Sequence, residues 1–222
     1  MCANYQPPTV QTVRDFFTTL PIEFTYRPEA YPGYDAPVLV ASTVASDELE
    51  PVRASFGLIP VWAKDRKIER RTYNARAETI ATLNSYRTPW RKRQRCLVPV
   101  QAFYEPNYEL GKPVRWAIQR EDGQPFALAA IWDRWSNPVT KEWERSFSLV
   151  TINASGHSLM ERFHAPEDEK RSVVVVGKAD HLGWLNAATG EEAREYLKLF
   201  DADQFTASSA PRPPAVRKPS GS

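Results

Sequence analysis

The run CLVPVQAF, residues 96–103, decides the fold, because it is short, rich in Val and aromatic residues, and contains a proline. Such runs, punctuated by Pro, Gly or Asn, are typical of β-strands. Runs of the same kind recur along the chain at 36–44, 52–59, 113–120, 125–132, 146–153 and 172–176. Strands are therefore predicted to dominate the middle of the protein.

Helical spacing is found mainly outside these runs. Residues 9–20 place five apolar side chains near helical intervals before Pro21 ends the pattern. Further helices are predicted at 76–85, 156–164, 178–186 and 190–200, the last of which begins with the capping-box pair Thr189 and Glu192. Strands and long helices do not alternate regularly. We therefore predict an α+β fold, with curved mixed or antiparallel β-sheets forming a barrel-like core flanked by helices.

Length and composition indicate one domain. A chain of 222 residues with 42% hydrophobic residues can bury a sizeable core, which we assign to residues 1–205. Residues 206–222 are rich in Pro and Ser and are predicted to be a disordered tail. The chain has neither an apolar run of membrane-spanning length nor a signal-like start, so we expect a cytoplasmic protein that does not bind membranes.

The cysteines and histidines do not form a metal-binding pattern. The only cysteines are Cys2 and Cys96, which suggests two free thiols rather than a disulfide framework. The three histidines have neither a nearby cysteine nor regularly spaced carboxylates. We therefore expect no metal and no cofactor. Separately, we expect the protein to be a monomer.

Basic residues are concentrated between Lys64 and Arg95. This segment holds eleven basic and three acidic residues, a local net charge of +8 in a chain whose net charge is +2. Tyr73, Tyr86 and Trp90 lie among the arginines. The combination suits a groove that follows a phosphate backbone and stacks unpaired bases, which predicts single-stranded nucleic acid as the partner. An ordinary solvated basic face remains the alternative.

Cys2 is the residue with the most distinctive chemistry. Removal of Met1 would leave an α-amine and a thiol on one residue, and both have a nucleophilic form near neutral pH. The amine can add to an aldehyde to give a Schiff base, and the thiol can then close a five-membered thiazolidine ring. Taken alone, a cysteine at position 2 could also be incidental.

Four further segments accompany Cys2 in a fixed order: FGLIPVWAKD (56–65), RTYNARAETI (71–80), VPVQAFYEP (98–106) and INASGHSLMERFHAPEDEKRSVVVV (152–176). Together with the N-terminus they resemble the SRAP family, the SOS response-associated peptidases. The resemblance extends from Cys2 to about residue 200. It implies an enzyme of the DNA damage response that senses abasic sites in single-stranded DNA and crosslinks itself to the opened sugar through Cys2.

The resemblance also implies a role for each matching residue. Cys2 would be the nucleophile, Asn74 would hold the terminal amine or the sugar, and Glu105 would act as acid and base in lyase-like Schiff-base steps. His164 would protonate the sugar ring oxygen. The predicted DNA-binding residues are a phosphate contact, two aromatic rings and three arginines of the basic segment, namely Arg76, Trp62, Trp90, Arg71, Arg91 and Arg93.

The chain departs from the family pattern next to the nucleophile. Ala3 and Asn4 stand where the usual opening has Gly and Arg, so one phosphate contact is missing, and the basic segment is a hypothetical replacement. Two other functions remain open. Cys2 could perform peptide-bond chemistry as a thiol peptidase, on the chain's own leader or on other proteins. Alternatively, the protein could bind single-stranded DNA without catalysis.

Overall fold

The computed structural model describes residues 2–43 and 48–212, and over these ranges the chain forms two β-sheets with short helices around them. The strands are Tyr5–Gln6 (β1), Asp35–Ala41 (β2), Leu49–Phe56 (β3), Asn74–Arg76 (β4), Arg95–Val100 (β5), Ala102–Asn107 (β6), Val114–Arg120 (β7), Phe126–Ser136 (β8), Trp143–Asn153 (β9), Arg171–Val173 (β10), Val175–Val176 (β11) and Phe205–Ser209 (β12). The α-helices are Val10–Phe16 (α1), Arg87–Arg91 (α2), His181–Asn186 (α3) and Gly190–Arg194 (α4). Short 3₁₀ helices form at Arg66–Arg71, Met160–Arg162, Lys178–Asp180 and Ala202–Gln204.

The larger sheet has the strand order β10-β9-β3-β2-β5-β8-β11, with β4 paired to β9. Most of its pairs are antiparallel, but β3 and β4 run parallel to β9. Because β8 also pairs with β9, the sheet curls back on itself without forming a regular barrel. The predicted α+β class with curved mixed sheets is confirmed.

The smaller sheet, in the order β1-β6-β7-β12, is antiparallel throughout. The apolar run 96–103 contributes to both sheets. Its first part is β5 in the larger sheet, and after Gln101 the chain continues as β6 in the smaller one. The one predicted strand is therefore two strands, β5 and β6. The second of these, β6, pairs with the N-terminal strand β1.

Side chains of β5 alternate between two apolar clusters, as the two-residue period of a strand requires. Cys96, Val98 and Val100 pack in a first cluster that also contains Cys2, whereas Leu97 packs in a second cluster with Trp184. All six residues of β5 are buried. The strand thus separates two packed layers, and Cys2 belongs to the first.

Two sequence predictions are wrong. Residues 76–85 are not a helix, because Asn74–Arg76 pairs with β9 and Ala77 continues the ladder by donating to the Thr151 carbonyl at 2.9 Å. The disordered tail does not begin at 206, because Phe205–Ser209 pairs with β7. Residues 213–222 of that predicted tail lie outside the described residues.

Three of the other helix predictions are correct in place but too long, and the fourth, 156–164, contains no α-helix. Helix α1 occupies only part of 9–20, α3 part of 178–186 and α4 part of 190–200, while 156–164 contains only a short 3₁₀ helix. The Thr189 side chain caps α4 as predicted, accepting a hydrogen bond from the Glu192 backbone at 3.1 Å.

Candidate active site

The N-terminal segment lies along β6, and this pairing places Cys2. Tyr5 and Gln6 pair with Phe103 and Ala102, and Tyr104 extends the ladder by donating to the Asn4 carbonyl at 3.0 Å. Continued in the same antiparallel direction, the segment brings Cys2 to the end of β6 that holds Glu105. Cys2 is fully buried there, with its Sγ 3.5 Å from the Asn4 carbonyl oxygen.

Asn74 holds the backbone of Cys2 from the larger sheet. Its Nδ2 donates to the Cys2 carbonyl oxygen at 2.9 Å. The Asn74 Oδ1 atom is also buried, and no hydrogen bond reaches it from the described residues. Asn74 is fixed in turn by strand pairing with Leu149 and by the Tyr86 hydroxyl, which donates to the Asn74 carbonyl at 3.0 Å. A buried acceptor is thus available next to Cys2 on a rigid strand.

Glu105 and His164 form a buried pair beside Cys2. The Nε2 atom of His164 lies 3.3 Å from Glu105 Oε2, and the two side chains are 7% and 2% exposed. The distance is that of an ion pair, but neither ring nitrogen makes a well-aligned hydrogen bond to a described residue.

The backbone of His164 is in the left-handed region, with a φ of 67° that non-glycine residues rarely adopt. Its amide donates to the Pro106 carbonyl at 3.0 Å. The Lys170 ammonium also donates to the carbonyls of Phe163, His164 and Ala165 at 3.0, 3.3 and 3.0 Å. Such conformations persist where surrounding contacts enforce them, and they cluster at functional sites.

The thiol of Cys2 is protonated at neutral pH in this setting. Burial raises its pKa to about 12, and the negative charge of Glu105 adds to the shift. Tyr73 shares these surroundings, because burial and the charges of Glu105 and Cys2 raise its pKa as well. Tyr73 was not among the predicted site residues. The signals in the sequence were its position immediately before Asn74 and its place among the arginines of the basic segment.

The four predicted catalytic residues, Cys2, Asn74, Glu105 and His164, therefore lie together. The predicted DNA-binding residues divide into two groups. Arg71 and Arg76 are exposed, as is Trp62, which is 55% exposed. Arg91 and Arg93 are also exposed, but they line a separate hollow with Thr189 and Glu191.

Trp90 requires a correction, because it is buried and cannot stack on a DNA base. It is 6% exposed in the second apolar cluster, where its ring lies 6.4 Å from that of Trp184. The guanidinium of Arg95 lies 5.6 Å from the Trp90 ring and donates to the Ala187 carbonyl at 2.7 Å. Part of the basic segment therefore stabilises the fold and does not face a ligand.

Asn4, which stands in place of the expected arginine, is buried and contacts another arginine. Arg115 Nη2 donates to Asn4 Oδ1 at 2.7 Å and to Glu29 Oε1 at 2.9 Å. Its guanidinium also lies 3.4 Å from the ring centre of Tyr104. Arg115 of β7 thus places a positive charge next to the N-terminal segment. The replacement of the missing arginine by the basic segment 64–95 remains a prediction.

The described ranges contain no group of three metal-ligating His, Cys, Asp or Glu side chains. Among the same residues, no helix has the length and apolar composition needed to cross a bilayer.

Comparison with known proteins places this arrangement in a family. The family model described as SOS response associated peptidase, SRAP, matches residues 1–213. The chain belongs to the SRAP family. Abasic site processing protein YoqW of Bacillus subtilis is 30% identical over 193 residues, covering 83% of this chain and 81% of YoqW. Abasic site processing protein HMCES of Gallus gallus is 27% identical over 161 residues, covering 60% of this chain and 48% of HMCES.

Solved structures share the SRAP fold of this chain. A crystal structure of a protein from Bordetella bronchiseptica has a TM-score of 0.85 and 29% identity, covering 94% of this chain and 99% of that one. A second, from Bacteroides thetaiotaomicron, has a TM-score of 0.76 and 24% identity, covering 94% and 91% of the two chains.

Proposed function

We propose that this SRAP protein captures abasic sites in single-stranded DNA by forming a covalent bond through Cys2. The names of the similar proteins YoqW and HMCES support the substrate class. The observation that carries the proposal is the hydrogen bond from Asn74 to the Cys2 carbonyl at 2.9 Å, beside the buried pair of Glu105 and His164. The proposal further includes a monomer that acts in the cytoplasm.

The proposed reaction joins the opened sugar to both functional groups of Cys2. Hydrolysis of the Met1–Cys2 peptide bond first frees the α-amine. The amine adds to the sugar aldehyde, and loss of one water gives a Schiff base. The thiol sulfur then bonds to the same carbon while its proton passes to the nitrogen. The net change is aldehyde plus aminothiol to thiazolidine plus one water, with neither oxidation nor reduction.

The chemistry of the ring sets the order of these steps. The amine attacks first, because the Schiff base it forms leaves the same carbon open to the thiol, which adds second. Glu105 is placed to take the proton from the attacking amine and to return it when water leaves. The buried Oδ1 of Asn74 accepts a hydrogen bond from the same amine.

His164 acts on the sugar. An abasic deoxyribose exists mostly as a closed ring, and the aldehyde forms when the ring oxygen gains a proton. An imidazole suits this step, because its ring nitrogens can donate or accept a proton. Lys170 holds the strained backbone that points the imidazole toward Glu105, and it is therefore a positioning residue.

Arg76 and Trp62 provide two of the proposed DNA contacts. Arg76 lies two residues after Asn74, so both side chains leave the same face of β4 about 7 Å apart. Its planar guanidinium suits a backbone phosphate. The exposed ring of Trp62 provides a surface for a base.

A crosslinking assay tests the proposal. The protein is incubated with a single strand carrying one abasic site and analysed on a denaturing gel. Wild type is expected to give a heat-resistant complex, and Cys2→Ala is expected to lose it. Cys96→Ala is the matched control, because it removes the other buried thiol and should keep the complex. Absence of the complex in wild type, or its persistence in Cys2→Ala, contradicts covalent capture by Cys2.

The peptidase alternative has weaker support from the same site. Acyl transfer by a cysteine requires a thiolate, and the pKa of about 12 keeps the Cys2 thiol protonated. Addition to a Schiff base is less demanding, since the thiol proton can pass directly to nitrogen.

A further inference from the structure

The carboxylate of Glu169 receives hydrogen bonds from three side chains. Arg171 Nη1 lies 2.7 Å from Oε1, Arg76 Nη1 lies 2.9 Å from Oε2, and Asn153 Nδ2 lies 3.2 Å from Oε1. The pKa of Glu169 is lowered, first by the Arg171 hydrogen bond and then by that of Asn153. Glu169 is therefore an anion at neutral pH.

The three donors belong to neighbouring strands of the larger sheet. Arg76 ends β4, Asn153 ends β9 and Arg171 begins β10, and Asn153 pairs directly with Arg171. Glu169 instead lies in the segment 165–170, outside the strands. Three hydrogen-bond donors on paired strands thus hold the carboxylate of Glu169, which lies in the segment between strands.

This set of donors has the chemistry of a phosphate-binding site. Two guanidinium groups and an amide converge on the oxygens of one anion, which is how proteins bind phosphates as well as carboxylates. Arg76 is also the proposed phosphate contact beside Asn74. In the free protein its charge is already neutralised by Glu169.

We propose that Glu169 competes with a DNA backbone phosphate for Arg76 and Asn153, and that it thereby lowers the affinity for undamaged single strands. This inference rests on the proposed function, because it refines how DNA reaches the same site. When a phosphate binds, Glu169 moves into solvent. Arg171 remains paired, because its Nη2 also lies 2.9 Å from Glu78 Oε2 and 2.8 Å from the Thr151 carbonyl oxygen.

The competition favours damaged DNA. To bind noncovalently, an intact strand must displace Glu169 from Arg76. Because Glu169 already neutralises the charge of Arg76, the incoming phosphate adds little electrostatic stabilisation. An abasic strand meets the same cost, but the covalent bond to Cys2 then retains it. Glu169 is thus a specificity-determining residue that limits occupation of the protein by intact strands.

The test measures binding of a fluorescent intact single strand over a range of salt concentrations. Such a strand has no aldehyde, so no covalent step intervenes. Glu169→Gln is expected to tighten binding about two- to fivefold at low salt, which is the range for an exposed ion pair. Its salt dependence should be steeper by up to about 0.7 in the log–log slope, the value for one phosphate contact on a single strand. Glu169→Ala should give the same gain.

Two controls make the outcome specific. Glu167→Gln removes the same charge from an exposed position two residues earlier and should leave affinity nearly unchanged. In an Arg76→Gln background, the gain from Glu169→Gln should disappear, because the competition requires Arg76. The inference is overturned if Glu169→Gln matches Glu167→Gln, if its gain persists without Arg76, or if it weakens binding, which would mean that Glu169 orients Arg76 for DNA.

The inference and the proposed function can fail separately. A covalent complex in wild type together with no effect of Glu169→Gln would overturn the competition and leave covalent capture standing. Tighter binding by Glu169→Gln without any covalent complex on abasic DNA would overturn capture and leave the competition standing.

Discussion

Asn74 and Cys2 are 72 residues apart in the sequence, and the Asn74 side-chain amide donates to the Cys2 carbonyl oxygen at 2.9 Å. The bond joins β4 of the larger sheet to the segment that pairs with β6 of the smaller sheet. It orients the backbone of Cys2, while the buried Asn74 Oδ1 receives no hydrogen bond from the described residues. In the proposed reaction, this atom accepts a hydrogen bond from the Cys2 amine.

Replacement of Asn74 by alanine should slow crosslinking about tenfold or more, because a misplaced nucleophile raises the activation free energy. An increase of about 1.4 kcal/mol corresponds to a tenfold slower reaction. The free energy of unfolding should fall by about 1 kcal/mol for the lost hydrogen bond. Tyr86→Phe is the control, because it removes the hydrogen bond to the Asn74 carbonyl without touching Cys2. Equal crosslinking rates in the two variants would show that Asn74 has only a structural role.

The rate at which Cys2 is alkylated should vary with pH as expected for a thiol with a raised pKa. In a Cys96→Ala background, where Cys2 is the only thiol, the rate should rise about tenfold for each pH unit and continue to rise above the ordinary thiol pKa of 9.0 toward about 12. Glu105→Gln removes a negative charge that raises this pKa, so it should increase the rate at fixed pH. A plateau near 9.0, or no change in Glu105→Gln, would contradict the assigned electrostatics.

Trp62 and Trp90 should respond differently to replacement by alanine. Trp62→Ala should weaken binding of single-stranded DNA roughly tenfold through lost stacking and change stability by less than about 0.5 kcal/mol. Trp90→Ala removes a buried ring and should lower the free energy of unfolding by about 3 to 5 kcal/mol. Denaturant titration and DNA binding measure both effects, and unchanged binding by Trp62→Ala would exclude the proposed stacking role.

Gly57 should be intolerant of a side chain. Its φ is 107°, and a Cβ at this position would lie 2.7 Å from Glu69 Cα. Gly123 also has a positive φ, 70°, but a Cβ there would have no atom within 4 Å. Gly57→Ala should therefore destabilise the protein by at least about 2 kcal/mol more than Gly123→Ala in thermal or denaturant unfolding. Equal losses would show that backbone strain alone governs both positions.

The sequence indicated the strands and the four catalytic candidates, because both depend on short patterns in a fixed order. Each of the four candidates lies within a recognisable segment of the sequence. Glu105 directly follows an apolar run that predicts its strand. The tertiary pairing of β6 with the N-terminal segment then brings the candidates together.

The sequence failed where long-range contacts override local pattern. Residues 76–85 have helical spacing, but pairing of Asn74–Arg76 with β9 satisfies the backbone as a strand. Residues 206–209 look like a tail, but β7 has a free edge that accepts them. Trp90 lies in a basic stretch, and only its packing against Trp184 reveals that it is buried. Charge composition cannot distinguish an arginine that supports the core from one that faces a ligand.

The most direct test of the central claim is the mass of the N-terminal peptide after reaction with abasic single-stranded DNA and digestion of both polymers. The expected product is a peptide that begins at Cys2 and carries the sugar fragment with a net loss of one water, formed without borohydride reduction. A sugar adduct on a lysine, or on a peptide that still carries Met1, would contradict the claim.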